Sequence, residues 1–169
     1  MRAHLHFHDY SYFPYEKRLA LREAETLLGG SGLPATDYIS VDVQRSDEEA
    51  LRRLTYFSRV TLEDGTVVVP DQARWEAAER GKKVHRDGVS ITRQSTRYSL
   101  HGLHEYKGKF NPQIVRTLGN LLGIEAGDHV LDPFSGSGTV LLEGAHMGWN
   151  VVGLDLNPLA VLIANAKVE

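Results

Sequence analysis

Two carboxylates and two glycines near the carboxyl end of the sequence have the types and spacing of a ligand site. Asp132 opens the segment Asp132–Thr139, which reads Asp-Pro-Phe-Ser-Gly-Ser-Gly-Thr, and Asp155 follows an apolar run further on. Gly136 and Gly138 permit a sharp turn and the close approach of a ligand. Amides at the start of a following helix point into such a turn. Asp155 is placed to accept hydrogen bonds from a ribose diol, so the pattern indicates a nucleotide-type site.

The elements that must position these residues are readable on either side of them. The apolar runs His129–Leu131 and Asn150–Leu154 predict two short strands, each followed by one of the carboxylates. Between them, Thr139–Met147 predicts a helix that Gly148 ends. Strand, helix and strand in this order make a βαβ unit with parallel strands, and open α/β sheets bind their ligands at the carboxyl ends of such strands.

Three nucleotide-type ligands compete for this geometry. A phosphate-binding loop for ATP or GTP requires a lysine after its last glycine, whereas Gly138 is followed by Thr139 and Val140. The dinucleotide pattern needs a third glycine where Leu141 stands, and Asp132 would face the pyrophosphate. S-adenosylmethionine (SAM) carries a ribose, an ammonium and a sulfonium but no phosphate. We therefore expect SAM as the ligand.

Three motifs in this part of the chain resemble a known family in the family's own order. Val130–Thr139 resembles the cofactor motif of the amino-methylating DNA methyltransferases, which act on adenine N6 or cytosine N4, and Gly153–Pro158 resembles the acidic motif that follows it. His104–Pro112 is similar to the family's preceding segment, which walls the methionine end of the cofactor. The same motifs also resemble the tRNA guanine-N2 methyltransferases. The resemblance implies SAM as cofactor and favours DNA over tRNA as substrate.

The resemblance also implies which residues bind the cofactor. For Lys109 and Phe110 the alternative is a plain loop lysine and a packed phenylalanine. No metal ligand is implied. The residues assigned to cofactor binding are Lys109, Phe110, Asp132, Pro133, Phe134, Ser135, Gly136, Gly138, Thr139, Asp155 and Asn157.

The fold class expected from the resemblance is α/β. Residues 98–169 are expected to form an incomplete Rossmann-like SAM-methyltransferase fold with its first two parallel strands, preceded by a small α+β region over residues 1–97. Two parallel strands alone leave sheet edges and faces uncovered. We therefore expect a second chain or a missing carboxyl-terminal part to complete the sheet.

The catalytic motif of the resembled enzymes is absent. Those enzymes carry Asp, Asn or Ser followed by Pro-Pro and an aromatic residue, which hold a flipped base while its amine attacks the methyl group. The six prolines of this sequence include no adjacent pair. We therefore assign no catalytic residue and expect the chain alone to be inactive. The alternative hypothesis is a non-catalytic fragment or regulatory subunit.

A basic segment, Lys82 to Lys109, is the candidate contact for nucleic acid. It holds seven Lys and Arg residues against two acidic ones, although the net charge of the chain is −3, and aromatic and histidine residues are interleaved with the cations. Neutralisation of phosphates together with stacking surfaces is typical of a nucleic-acid groove. The alternative is a solvated basic loop.

The composition excludes several classes of protein. The chain is 41% apolar, as in globular domains, and has no run long enough for a membrane span. It has no cysteine, which excludes disulfides and the thiolate attack used to methylate cytosine C5. We expect a cytoplasmic protein.

The amino-terminal region shows a mixed pattern of elements. His4, His6 and His8 alternate with Leu5 and Phe7, which predicts a strand; the histidines are either a polar face or zinc ligands. Further predicted elements follow in chain order: a helix over Pro14–Leu28, a turn over Gly29–Pro34, a strand over Tyr38–Val43, a helix capped by Ser46 to Glu49 with Ala50, Leu51, Leu54 and Phe57 inward, a hairpin around Asp64-Gly65, and a helix over Gln72–Arg80 that Gly81 ends.

Two helices flank the predicted cofactor unit. Asn111 is expected to cap Pro112–Leu122, which Gly123 ends, and Asn157 is expected to cap a helix over Pro158–Val168. Each carries an apolar stripe that we expect to face the core: Ile114, Val115, Leu118 and Leu122 in the first, and Leu159, Leu162 and Ile163 in the second.

Overall fold

The described part of the chain folds as two compact units, Met1–Ser95 and Thr96–Glu169. The computed structural model describes residues 1–30, 33–34, 38–44, 48–79, 83–86, 89–92 and 94–169, with the backbone alone described for 33–34, 83–86 and 89–92. Within these ranges the strands are β1 Arg2–Phe7, β2 Leu33–Pro34, β3 Tyr38–Asp42, β4 Phe57–Leu62, β5 Val67–Val68, β6 Lys83–Arg86, β7 Val89–Thr92, β8 His129–Asp132 and β9 Asn150–Gly153. The α-helices are α1 Pro14–Leu28, α2 Glu48–Arg53, α3 Asp71–Ala78, α4 Pro112–Leu122, α5 Thr139–Met147 and α6 Pro158–Val168, and Ser99–Gly102 forms a 3₁₀ turn.

The first unit is built around β1 at the centre of a five-stranded sheet. The strand order is β2-β3-β1-β4-β5, and β1 pairs antiparallel with both β3 and β4. Its register places Leu5 opposite Ile39 on one side and Val60 on the other, so one face of the sheet is buried and apolar. Helix α1 covers this face with Ala20, Ala24 and Leu28. A separate antiparallel pair is formed by β6 and β7.

Most of the elements predicted in this unit are confirmed. Helix α1 has the predicted bounds and ends at Gly29, whose φ of 68° is left-handed. The strand over residues 38–42 and the hairpin around Gly65 are also present, the latter with φ of 84° at the glycine. The predicted cap at Ser46 and Asp47 lies outside the described residues, as do Arg80 and Gly81 and part of the predicted turn over residues 29–34.

The prediction for Phe57 was wrong. Helix α2 ends at Arg53, and Phe57 begins β4 instead of lying on the inward face of the helix. The physical reason is a buried carboxylate on α1. The Thr55 amide and hydroxyl donate to Glu23 at 3.0 and 2.6 Å, which turns the chain out of the helix at that point.

The second unit contains the predicted βαβ arrangement. Strands β8 and β9 pair in parallel, with Asp132 opposite Gly153, and α5 connects them and ends at the left-handed Gly148. Helix α4 begins at the predicted cap, where the Asn111 side chain accepts from the Gln113 amide, and α6 begins at Asn157 in the same way. The described fold is therefore mixed α/β with a small parallel sheet.

The apolar stripes of α4 and α6 do not face the core as predicted. In α4, Leu118 and Leu122 are 41% and 74% exposed within the described chain, whereas Ile114 is half-buried and Val115 is buried. In α6, Leu159 and Leu162 are exposed and Ile163 alone of the predicted face is buried.

Polar contacts and close packing orient both helices. Helix α4 turns Arg116 inward because the guanidinium pairs with Glu143 on α5. Helix α6 places Ala164 against Gly138 and directs the Lys167 amino group to the Ser137 carbonyl. These contacts leave the leucines on the outside of the described unit.

Trp149 packs directly on two helices and requires glycine at the contact. The indole lies where a Cβ on Gly119 of α4 would stand, and it also approaches Gly144 of α5. The ring is buried. Glycine at these positions lets α4 and α5 approach the tryptophan that precedes β9.

Among the residues that the structure describes, no helix is both long enough and apolar enough to cross a membrane.

Gly119→Ala is expected to lower the free energy of unfolding of the second unit by about 1–3 kcal/mol, because the added methyl overlaps the Trp149 ring. This loss exceeds the gain of about 1 kcal/mol that alanine brings to a helix interior. Denaturant unfolding followed by the fluorescence of Trp149, in a Trp75→Phe background, measures the change. Leu122→Ala on the exposed face is the control and should change stability by less than about 0.5 kcal/mol. Equal stability of Gly119→Ala and the parent chain would contradict the close contact.

Candidate functional site

A cavity of about 290 Å³ lies at the carboxyl end of β8, in the second unit. Such a volume is near the lower end of the range for small-molecule pockets. Its lining brings together seven of the residues predicted from the sequence: Lys109, Phe110, Asp132, Phe134, Ser135, Gly136 and Thr139. Four more residues complete the lining and were not singled out as binding residues: Tyr106, Gly108, Ser137 and Val140.

The glycine turn between β8 and α5 forms one wall of this cavity. Gly136 and Gly138 have φ values of 49° and 76°, and the Gly138 amide donates to the Ser135 carbonyl at 2.8 Å. A Cβ on Gly138 would stand 2.8 Å from the Cβ of Ala164. The missing side chain at Gly138 therefore admits helix α6, whereas at Gly136 the nearest atom belongs to the Tyr106 ring.

Lys167 supports the same turn from α6. Its buried amino group donates to the Ser137 carbonyl at 2.6 Å, and burial lowers its pKa. The lysine satisfies a carbonyl that the sharp turn leaves without a backbone partner.

The two predicted carboxylates are already held by backbone amides. Asp132 accepts from the Phe134 amide at 3.1 Å, and Asp155 accepts from the Gly136 and Asn157 amides at 2.8 Å each. Each carboxylate oxygen can accept a second hydrogen bond, so both groups keep capacity for a ligand. Asp155 also ties the turn that follows β9 to the glycine turn that follows β8.

Four predicted residues do not line the cavity. Pro133 and Gly138 belong to the turn, Asp155 accepts from the Gly136 amide, and the Asn157 side chain accepts from the Leu159 amide at the start of α6. The geometry thus gives Asn157 a capping contact, and gives Asp155 a contact with the turn itself.

Lys109 lies in the cavity wall but has defined partners. Its amino group donates to the Thr96 and His101 carbonyls at 3.1 and 2.9 Å. Burial and the nearby charges of Lys167 and Arg97 lower the pKa of Lys109 to about 8. The lysine therefore closes the loop from residue 96 to residue 109 as well as facing the cavity.

A second cavity of about 270 Å³ lies on the other side of this wall. The two cavities share Tyr106, Lys109 and Phe110, and Phe110 is half exposed. Arg97 and His104 also line the second cavity, with Glu105 as the acidic member of its described lining.

A buried carboxylate on α5 forms a network that the sequence did not reveal. Glu143 is fully buried and accepts from the Tyr98 hydroxyl and the His101 imidazole at 2.7 Å each on one oxygen. Arg116 of α4 donates to its other oxygen at 3.2 Å. Each of these two helices carries a single Lys, Arg, Asp or Glu residue, Arg116 in α4 and Glu143 in α5, and their opposite charges are the signal in the sequence that indicates such a pair.

The network fixes the ionisation of its members. Burial alone would raise the pKa of Glu143, but hydrogen bonds with His101 and His146 and the charge of Arg116 hold it below its ordinary range. Burial lowers the pKa of His101, and the hydrogen bond and charge of Glu143 offset part of that effect. Glu143 is therefore a carboxylate and His101 a neutral donor near neutral pH.

The histidines at the amino terminus do not form a joint site in the described chain. His4 contacts the Ser40 hydroxyl and His6 contacts the Thr61 hydroxyl, at 2.9 and 3.2 Å, while His8 stacks on Tyr10. The described side chains that meet the spacing for a metal are instead His101, Glu143 and His146. Arg116 already neutralises that carboxylate, so the arrangement favours hydrogen bonding over a cation.

The predicted basic segment is described only in its last part. The side chains of Lys82, Lys83, Arg86 and Arg93 lie outside the described residues. Arg97, Lys107 and Lys109 are described, and Arg97 and Lys109 face the second cavity.

The chain matches known methyltransferases over the part that contains the cavity. Residues 103–164 match the family model described as RMKL-like, methyltransferase domain. The chain is 44% identical over 70 residues to Type II methyltransferase M.MjaII of Methanocaldococcus jannaschii, which covers 41% of this chain and 13% of that protein. It is 46% identical over 52 residues to a tRNA (guanine(10)-N2)-dimethyltransferase of Methanothermobacter thermautotrophicus. That match covers 31% of this chain and 16% of the relative.

A third relative is also a methyltransferase and matches a similar share of this chain. Type II methyltransferase M.BsoBI of Geobacillus stearothermophilus is 39% identical over 69 residues, which cover 41% of this chain and 14% of that protein. The matched part of the chain spans roughly one seventh of the length of each of these relatives. The resemblance predicted from the three motifs is confirmed, with both kinds of relative that it named.

The second unit is expected to lose stability as the pH falls from about 7.5 to about 5.5. The folded pKa of His101 lies below its ordinary 6.5, so the unfolded chain binds more protons in this range, and Glu143 adds a further loss below its ordinary 4.5. Thermal unfolding followed by Trp149 fluorescence, in a Trp75→Phe background, should show a falling midpoint. His101→Gln removes the titrating group and should flatten the dependence, whereas His129→Gln on the exposed strand end should not. A midpoint that rises on acidification would contradict the assignment.

Proposed function

We propose that the part of the chain that matches a methyltransferase domain, residues 103–164, binds SAM and serves the methylation of an exocyclic amine on a nucleic-acid base. The observation that carries the proposal is the cavity at the carboxyl end of β8, walled by the glycine turn and by Tyr106–Phe110. We further propose that the second unit, Thr96–Glu169, is the start of a Rossmann-like SAM-methyltransferase fold and that Met1–Ser95 is a separate domain.

The residues of the cavity fit SAM chemically. Asp132 lines the cavity and offers a carboxylate to the positively charged end of the cofactor. Asp155 does not line the cavity, but it accepts from the Gly136 amide of the cavity wall, and its oxygens keep a second acceptor site for a ribose hydroxyl. Ser137 is 3% exposed in the cavity wall, and within the described chain its hydroxyl has no hydrogen-bond partner, so a ligand group would satisfy it. Phe134 is 88% exposed and presents an apolar ring to a purine. When bound, SAM supplies the methyl group on an electrophilic sulfonium.

The residues of the chain would bind and orient the cofactor and exclude water from it. Gly136 keeps the turn free of a side chain where the Tyr106 ring approaches, and Lys109 holds the opposite wall closed through its two carbonyl contacts. No described residue is assigned a proton transfer. The base-holding motif that the sequence lacks would come from another part of the enzyme, so we propose that this chain contributes the cofactor half of the site.

We propose DNA as the acceptor. The matches to the two type II methyltransferases extend over 69 and 70 residues, against 52 for the tRNA (guanine(10)-N2)-dimethyltransferase. The tRNA enzyme shares the higher identity, 46%, and this observation makes a tRNA guanine amine the second candidate. Both acceptors are exocyclic amines on a base, so the same cofactor geometry serves either.

We propose that the second cavity contacts the phosphate backbone of that nucleic acid. Arg97, His104 and Lys109 line it against a single acidic side chain in the described lining, and two aromatic rings stand at its shared wall. Cations that neutralise phosphates beside rings that stack on bases are the usual parts of such a surface.

The exposed leucines support a further part of the proposal, namely that more of a methyltransferase sheet packs on this unit. In the described unit Leu131, Val152 and Leu154 of the β8–β9 region are more than half exposed, as are Leu159 and Leu162 of α6. A parallel sheet is stable when both faces are covered. We propose that additional strands and helices, from the same protein or from a second chain, cover these side chains.

Calorimetric titration with S-adenosylhomocysteine should detect binding in the micromolar range by the 169-residue chain. Asp155→Ala removes both a ribose acceptor and the tie to Gly136, and the affinity should fall about tenfold or more, which is about 1.4 kcal/mol or more. Asp128→Ala, on an exposed carboxylate before β8, is the control and should bind as the parent does. A folded parent chain that binds no S-adenosylhomocysteine would refute the proposed cofactor.

Fluorescence anisotropy with a labelled DNA duplex tests the acceptor class. Arg97→Ala should weaken binding and reduce the slope of log affinity against log salt by about one, because one phosphate contact is lost. Arg22→Ala on the exposed face of α1 is the charge-matched control and should leave both quantities unchanged. Tighter binding of tRNA than of DNA under the same salt would reverse the order of the two candidates.

A further inference from the structure

The buried carboxylate of Glu143 connects the two walls of the first cavity. One wall is the glycine turn, and α5, which carries Glu143, begins at the end of that turn with Thr139. The other wall is Tyr106–Phe110, which belongs to the loop that starts at residue 96. Tyr98 and His101 lie in this loop and both donate to the same oxygen of Glu143 at 2.7 Å.

Hydrogen bonds also connect His101 to the wall of the first cavity. The backbone carbonyl of His101 accepts from the Lys109 amino group at 2.9 Å, and the lysine also contacts the Thr96 carbonyl. Lys109 lines the first cavity. A series of hydrogen bonds thus runs from α5 through His101 and Lys109 to the wall that faces the ligand.

The loop is held in an unfavourable conformation at its start. Ser99 has a φ of 53°, the left-handed region that non-glycine residues rarely occupy, and its hydroxyl contacts the His146 imidazole on α5 at 3.1 Å. Tyr98, Ser99 and His101 therefore each reach α5. A strained backbone conformation persists only where surrounding contacts hold it, and the contacts of these three residues with α5 do so here.

We propose that Glu143 is a positioning residue for the cofactor cavity, which fixes the wall Tyr106–Phe110 against the glycine turn through His101 and Lys109. This inference rests on the proposed cofactor function. Glu143 itself makes no contact with the ligand. Its carboxylate fixes the distance between the two cavity walls that do contact the ligand. Its charge is balanced by Arg116, which lets the carboxylate remain buried without a metal ion.

A pair of variants at His101 distinguishes positioning from simple packing. His101→Gln keeps a side-chain N–H near the position of the imidazole Nε2 donor, whereas His101→Leu fills the same buried space without a donor. We expect S-adenosylhomocysteine affinity to fall about tenfold or more in His101→Leu and to stay within about threefold of the parent in His101→Gln. Equal affinity of the two variants would overturn the proposal.

A double variant separates positioning from stability. Glu143→Leu combined with Arg116→Met replaces the buried ion pair by apolar side chains, a change that often preserves stability. The double variant should remain folded with a lowered melting temperature, because the buried Tyr98 and His101 donors lose their acceptor. It should bind S-adenosylhomocysteine about tenfold more weakly, because the loop loses these two hydrogen bonds to α5 and keeps its Ser99 contact. Parent-like affinity in the folded double variant would show that the carboxylate serves stability alone.

The unmodified chain provides a measurement that no folding defect can obscure. In the ¹⁵N-edited NMR spectrum, His101 should be a neutral imidazole with a slowly exchanging Nε2 proton, because the buried Glu143 carboxylate accepts that proton in a hydrogen bond. The other described charged and titratable groups around this pair are Tyr98, Lys109, Arg116 and His146. An imidazole that titrates like a free histidine would mean that the connection to Glu143 is not made. This result is independent of ligand binding. A parent chain with the His101 signature but no S-adenosylhomocysteine binding would refute the cofactor proposal and leave the connection intact.

Discussion

The second unit depends on the buried carboxylate of Glu143. Glu143 stands inside an otherwise apolar helix, and its burial without partners would cost several kcal/mol. The structure offsets this cost with a guanidinium from α4 and with two donors from the loop that begins at residue 96. Because all three partners must reach one side chain, the carboxylate fixes the positions of a helix and a loop relative to the glycine turn.

The glycines of the turn serve two purposes that the sequence does not separate. Gly136 and Gly138 both adopt left-handed backbone angles, which only glycine adopts without strain. At Gly138, however, the space beside the Cα is filled by Ala164 of α6, whose last turn also directs Lys167 to the Ser137 carbonyl. The helix that packs on the turn therefore helps to shape it. Asp155 adds a third constraint from the end of β9.

Local sequence signals predicted most of the helices and strands, and long-range contacts decided which face of each helix is buried. The bounds of α1, α4, α5 and α6 followed from prolines, asparagine caps and terminal glycines, because each cap depends on a few neighbouring residues. The inward faces of α4 and α6 were predicted wrongly because polar contacts and close packing, and not the apolar stripe, orient these helices. In the described unit the Arg116–Glu143 pair and the contact of Gly119 with Trp149 orient α4. The contacts of Ala164 with Gly138 and of Lys167 with Ser137 orient α6. Phe57 was misplaced because Thr55 is drawn to Glu23, a contact between residues 32 positions apart.

The sequence by itself determined the βαβ unit and its parallel strands, because the strand, glycine turn and helix signals follow one another in the chain. Through three short motifs it also predicted the similarity of residues 103–164 to methyltransferase domains. Only the tertiary structure decided which of those residues share a cavity, that Asn157 caps a helix while Ser137 and Tyr106 line the site, and that Glu143 joins its two walls. The physical reason is that hydrogen bonds across many tens of residues depend on how helices pack, and packing depends on side-chain shape and buried charge over the whole unit.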